Sequence, residues 1–136
     1  MAYTLGDPFR SLRLLLRING LLVGVLLGLC LLAAPRDWLL SWGIYESGSL
    51  WPFRLAGASQ LGLGLFFFLM ANQDDLSRLM LLSAVIVNSM LALVLLTAYL
   101  QQELTRLSTV GQLVFVLVFL LYLLGAVIPL RYVRGG

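Results

Sequence analysis

The side chains able to do chemistry in this chain of 136 residues are few: nine basic groups, six carboxylates, one cysteine and no histidine. Every basic group is an arginine. Without histidine there are no axial ligands of the kind membrane cytochromes use for haem. With no carboxylate cluster either, the ligand set for metal-assisted hydrolysis is missing. Cys30 is the only thiol, and thiol–disulfide exchange within one chain needs two. Asp7, Asp37, Glu46, Asp74, Asp75 and Glu103 all fall outside the long apolar runs. Antiport through an intramembrane carboxylate is therefore not expected. Asp74-Asp75 comes nearest to a metal site, but adjacent carboxylates with no third ligand read better as caps on the helix that follows. Arg54 is the one charged group well inside an apolar segment, and arginine is no general base at ordinary pH. These absences predict a non-catalytic protein with no catalytic residue, no metal and no cofactor.

The uncharged polar groups are more informative. Gln60 and Asn88 sit deep within otherwise apolar stretches. An amide in hydrocarbon is costly unless it is hydrogen-bonded. The two are expected to bond each other or a nearby carbonyl. Glycines accompany them. Gly20, Gly24 and Gly28 recur every four residues and share one helix face. Gly57 and Gly64 flank Gln60 on its face, and Ala58 with Gly62 makes a neighbouring small pair. In lipid, small residues let helices approach closely where leucine against leucine gains little. Gly20, Gly24, Gly28, Gly57, Gln60, Gly64 and Asn88 are thus the expected helix-packing residues.

These residues need membrane spans to position them. Hydrophobic residues make up 61% of the chain and charged ones 11%, against about half and a quarter in soluble domains. Runs at Ile18–Ala34, Leu55–Ala71, Leu79–Tyr99 and Val110–Leu130 each approach the ~20 residues that cross a bilayer core. They lack strand-like alternation and are too long for strands. The expected fold is an all-α integral membrane four-helix bundle. It is one transmembrane domain, residues 1–136, with spans near 12–34, 52–71, 76–99 and 108–130 and an interfacial aromatic segment at 36–51. The first run is longer than a signal-peptide core and reads as a retained signal-anchor helix. Leu29 before Cys30 argues against a lipoprotein signal. The fourth span, bulky and smooth over Val114–Leu124 with Phe115, Phe119 and Tyr122, reads as lipid-facing or as a flat surface for a large partner.

Four spans put both chain ends on one side. Arg10, Arg13, Arg17, Arg78, Arg131 and Arg134 share that side, and Arg36, Arg54 and Arg106 the other. The positive-inside rule then places the termini in the cytoplasm, with the chain multi-pass in the inner, or plasma, membrane. Asp7-Pro8 reads as a helix start. Arg10, Arg13 and Arg17 follow at helical spacing, as interfacial anchors and as a seat for an anionic lipid headgroup. Trp38, Trp42 and Trp51 lie in or beside the first connection and form an aromatic belt on the outer face, with Asp37 capping a short helix there. Arg54, three residues past Trp51, belongs with these interfacial anchors. Its guanidinium is expected to reach the interface and meet Glu46 or Asp37. In the third connection, Glu103 and Arg106 pair at i, i+3, and Ser108 and Thr109 cap the last span.

The segment FRLAGASQLGLGL, Phe53–Leu65, carries R-x-x-G followed by G-x-G, and the span before it ends in LLAAP. This resembles the DoxX-like proteins and related small four-helix bacterial inner-membrane proteins of unknown function. The likeness covers the first two spans, and Arg54 and Gly57 match its motif. It implies a bundle in a bacterial inner membrane, some of whose relatives accompany quinone-dependent respiratory enzymes. The composite expectation is an accessory or structural subunit of a larger membrane complex of respiratory or photosynthetic electron transport. One alternative is a membrane protein binding quinone, lipid or pigment at helix interfaces near Arg54, Gln60 and Trp51. Another is a small oligomeric transporter with Gln60 and Asn88 along its path. The expected partners are membrane lipids and the host complex. Nucleic acid is excluded, because the net charge is only +3 and its arginines are scattered.

Overall fold

The structure, a computed structural model, describes Gly6 and residues 8–134. Four of its helices are long and apolar enough to cross a membrane. They are α1 (Arg10–Ala33), α3 (Trp51–Ala71), α4 (Arg78–Leu100) and α5 (Thr109–Arg134), with a short α2 (Arg36–Ser41) after the first. No strand occurs among the described residues. The long helices start and stop within a few residues of the apolar runs, and α5 continues past Pro129 and Leu130 to Arg134. Asp7 lies outside the described residues, and the first helical residue is Arg10.

Two pairs of helices make up the bundle. α1 packs along α3, and α4 along α5. The pairs meet chiefly where α1 touches α5. At one end Ser11 Oγ lies 2.8 Å from the Tyr132 hydroxyl, and the Phe9 and Tyr132 rings stand 5.4 Å apart. The start of the first span and the end of the last are therefore side by side, on the terminal face of the bundle. An apolar cluster including Leu12, Leu16, Phe67, Met70 and Ala84 draws α1, α3 and α4 together near that face.

The α1–α3 contact is made backbone to backbone. A methyl added at Gly24 would collide with the Gly64 Cα, one at Gly28 would lie 2.7 Å from the Leu61 nitrogen, and one at Gly57 would lie 2.6 Å from the Leu32 nitrogen. Such spacings exclude any side chain and let dispersion act between the backbones themselves. Gly62, by contrast, has no atom within 4 Å of its virtual methyl. The Ala58 and Gly62 pair faces outward, off this contact.

The α1 helix is not uniform. Asn19–Leu26 is π-helical, between α-helical segments at Arg10–Ile18 and Leu27–Ala33. Nothing in the sequence announced this change of winding.

At the far face the first and third connections cover the bundle end. Leu39 and Tyr45 are buried with Ala34 beneath α2. The Trp42 carbonyl accepts from the Ser108 amide at 3.3 Å. Gly43 has a φ of +71°, and a methyl there would strike the Arg106 carbonyl, so glycine is needed for both shape and space. Several expected caps differ. The α4 cap is Ser77, whose hydroxyl accepts from the Met80 amide at 3.2 Å; Asp74 and Asp75 lie before it, in the connection. Asp37 sits in the first turn of α2, after Pro35, and makes no side-chain cap. Ser108 does cap α5, accepting from Gly111 N at 3.2 Å. Glu103 and Arg106 bracket a short 3-10 turn, but Arg106 pairs with Glu46 at 3.6 Å, where both side chains are largely exposed.

Candidate functional site

The last carbonyls of a helix have no intrahelical donors and carry partial negative charge. In a membrane protein those ends must find donors or water. The α1–α3 pair answers this with arginine at both faces. Arg54, in the first turn of α3, donates to the carbonyls of Leu31 at 3.0 Å, Leu32 at 2.8 Å and Ala34 at 2.7 Å, the end of α1. At the opposite face Arg13, in the first turns of α1, donates to the carbonyl of Ala71, the last residue of α3, at 3.0 Å, and to the carbonyls of Gln73 and, at 2.8 Å, Asp74 in the connection beyond it. Arg17 adds a bond to Asn72 Oδ1 at 2.8 Å, and the Asn72 amide donates back to Phe68 O at 3.0 Å. Each helix of the pair supplies the cation that closes the other's open end.

This revises the reading of the arginines. Arg54 does not meet Glu46 or Asp37, since Glu46 faces Arg106. Its partners are backbone carbonyls, whose identity no side chain reveals. Arg13 and Arg17 turn toward the α3–α4 connection, and Arg10 is exposed on the terminal face. Of the tryptophans, Trp38 and Trp51 are exposed at the far face, while Trp42 is half-buried against Trp38, with ring centroids 6.0 Å apart.

Between the two clamps lies a second polar set, one residue from each span. Asn19 of α1 is 2% exposed, and its Nδ2 donates to the Leu121 carbonyl of α5 at 3.1 Å. Gln60 of α3 donates from Nε2 to the Val23 carbonyl at 3.1 Å and to the Tyr122 hydroxyl. Asn88 of α4 is 0% exposed, and its Nδ2 turns back to Ala84 O at 2.8 Å, one turn earlier in its own helix. Gly125 of α5 leaves the space these amides occupy. A methyl there would stand 2.7 Å from both Asn19 Nδ2 and Asn88 Oδ1. Pro129, inside α5, has no N–H, so the Gly125 carbonyl lacks its usual donor one turn on.

Gln60 and Asn88 each find a carbonyl, and neither bonds the other. Two members of the set had no signal in the sequence strong enough to find them. Asn19 stands at the margin of the first apolar run, where a polar residue is unremarkable. Tyr122 lies within the smooth stretch read as lipid-facing, yet it is buried against Val23 and Ala92. Two oxygens of the set, Asn19 Oδ1 and Asn88 Oδ1, are buried without a hydrogen-bond partner. In most native interiors such atoms are paired.

Among the described residues no three His, Cys, Asp or Glu side chains gather in one place, and Cys30 is exposed on α1. The chain matches no family model, no curated protein and no solved structure.

Proposed function

We propose that this protein is a non-catalytic integral membrane subunit that serves as a structural companion to a larger membrane assembly. One observation carries the reading. The groups with the most chemical capability, Arg13, Arg17, Arg54 and Gln60, are engaged with backbone carbonyls and amides of the chain itself. They hold two helices in register, and among the described residues no charged side chain lines the central polar set. The surfaces that remain outward, such as Leu113, Val114, Val116, Leu117 and Leu120 of α5, are broad and apolar. They suit lipid or a protein partner. Cytoplasmic chain ends are the reading of the arginine distribution, and an inner-membrane setting with an electron-transport host is what the DoxX-like resemblance suggests.

The test is isolation of the tagged protein from its native membrane in a mild detergent, followed by native mass spectrometry. A stoichiometric larger complex is expected, and redox-active subunits in it would identify an electron-transport host. A free monomer under conditions that preserve other complexes of the same membrane would overturn the proposal.

A further inference from the structure

The arginines of this chain fall into two sets. Arg13, Arg17 and Arg54 are turned onto the chain's own carbonyls and the Asn72 amide. Arg10, Arg78, Arg131 and Arg134 are exposed on the terminal face, and none of their side chains makes a hydrogen bond or ion pair among the described residues. Charge is lopsided in the same sense. By sequence position, six arginines and three aspartates belong to the terminal side of the bundle, against three arginines and three carboxylates on the other, so the net charge of +3 belongs to one side. Helix length sets the depth of these groups. α1 and α5 have 24 and 26 residues, roughly 36 and 39 Å at the rise of an α-helix, and overreach a hydrocarbon core of about 30 Å. The apolar run of α5 ends at Leu130, so its last turn carries Arg131 and Arg134 into the layer of lipid phosphates.

We propose that Arg131 and Arg134, in the field of Arg10, seat the phosphate of an anionic phospholipid on the terminal face. Residues three apart share a helix face, with Cβ atoms about 5–6 Å apart. The two guanidinium groups thus make a fork on the outward side of α5, while Ala126, Pro129 and Val133 face inward. Guanidinium donors match phosphate oxygens in geometry as well as charge. Arg10 stands across the α1–α5 contact, beside Ser11, whose hydroxyl meets that of Tyr132. Arg78 is not part of the seat, because Asp74 and Asp75 lie within four residues of it and oppose its field. Arg13 and Arg17, whose spacing with Arg10 suggested a headgroup seat, have donors committed to the end of α3 and the connection beyond it. The last turn of α5 supplies two arginines that do not. A zwitterionic lipid carries a cation of its own, which the same arginines repel, so the seat selects lipids by net charge. This inference rests on the chain lying in a membrane and not on the companion-subunit role proposed above.

The experiment titrates the full chain, purified in a mild non-ionic detergent, with an equimolar mixture of phosphatidylglycerol and phosphatidylcholine of matched acyl chains. Native mass spectrometry reads the first lipid adduct. Phosphatidylglycerol is expected to be preferred about 25-fold, about fivefold for each of the two arginines. Arg131→Gln and Arg134→Gln are each expected to lower the preference about fivefold, and the double variant to bring it close to parity. Arg106→Gln, which removes an exposed charge at the far face, is expected to leave it unchanged. The substituted side chains bond nothing among the described residues, so the unfolding midpoint in detergent should not move. Should the double variant fail to fold, Arg134→Gln, at the very end of α5, decides alone. Equal first adducts of the two lipids in the parent protein overturn the proposal. So does an undiminished preference in a folded Arg134→Gln or double variant, and so does an equal loss in Arg106→Gln, which would mean that total charge and not this seat draws the lipid. None of these results bears on whether the chain co-purifies with a complex.

Discussion

At the level of single residues, Arg54 has the largest predicted role. It makes three charge-assisted bonds to the end of α1, and bonds to charged groups are each worth about 1.5–3 kcal/mol. The three share one side chain and are not additive, so Arg54→Leu is expected to cost about 2–3 kcal/mol, read as a lower unfolding midpoint in detergent. Arg54→Lys should recover less than half of the loss, because an ammonium cannot spread across three carbonyls as a planar guanidinium does. A lysine variant as stable as the parent would refute the clamp. The two central amides should behave differently from each other. Gln60→Leu strips donors from Val23 O and from the Tyr122 hydroxyl and is expected to destabilise by about 1–3 kcal/mol. Asn88→Leu gives up only a bond within its own helix and removes an unfilled acceptor, so its midpoint should move by less than about 1 kcal/mol equivalent. The Glu46–Arg106 pair is exposed, and an exposed pair of this kind contributes little.

The helices themselves were the most legible part of the sequence. Span number and approximate ends follow from apolar runs, because hydrocarbon demands about 20 apolar residues whatever else they do. The glycine row of α1 was legible too, since four-residue spacing of a residue without a side chain has few uses in a membrane helix. Gly57 and Gly64 were expected to pack, but only the structure shows that Gly64 is what Gly24 meets. What stayed hidden shares a physical cause. Arg54 and Arg13 bond backbone carbonyls, which every residue has, so no pattern of residue types marks the acceptors. Tyr122 sits among leucines and phenylalanines whose outward or inward sense depends on which neighbour covers them. The π-helical turn depends on winding and leaves no mark on hydropathy. Contrasting glycines test this level. Gly24→Ala places a methyl against the Gly64 backbone, which cannot rotate aside, and should cost about 1–3 kcal/mol as overpacking does. Gly62→Ala meets open space and should be neutral or stabilising by up to about 1 kcal/mol from helix propensity. Thermal unfolding of the two variants side by side separates packing from propensity, and equal effects would show that the α1–α3 contact is not backbone to backbone.

For the whole molecule, two tight pairs joined along one seam suggest unequal cohesion. The α1–α3 pair has glycine contacts and an arginine clamp at each face, whereas α3 and α4 meet through side chains near the terminal face, Phe67 and Met70 with Leu81 and Ala84. Hydrogen exchange in detergent is expected to show slower exchange in the middle of α1 and α3 than in α4 near the far face, because local opening follows contact density. Uniform rates across the four spans would contradict that. The reciprocal clamps also bear on how the chain is made. When the first span leaves the ribosome it carries Arg13 into the membrane boundary, but its own far end, Leu31 to Ala34, has no guanidinium to close it until residue 54 has been synthesised. The end that Arg13 closes does not exist until residue 71. Neither span is complete as a solitary helix, and each is completed by a side chain born on the other. The first two spans are thus expected to be stable in a bilayer only together. A chain cut between them would present an unfinished helix end, with carbonyls that hydrocarbon cannot satisfy.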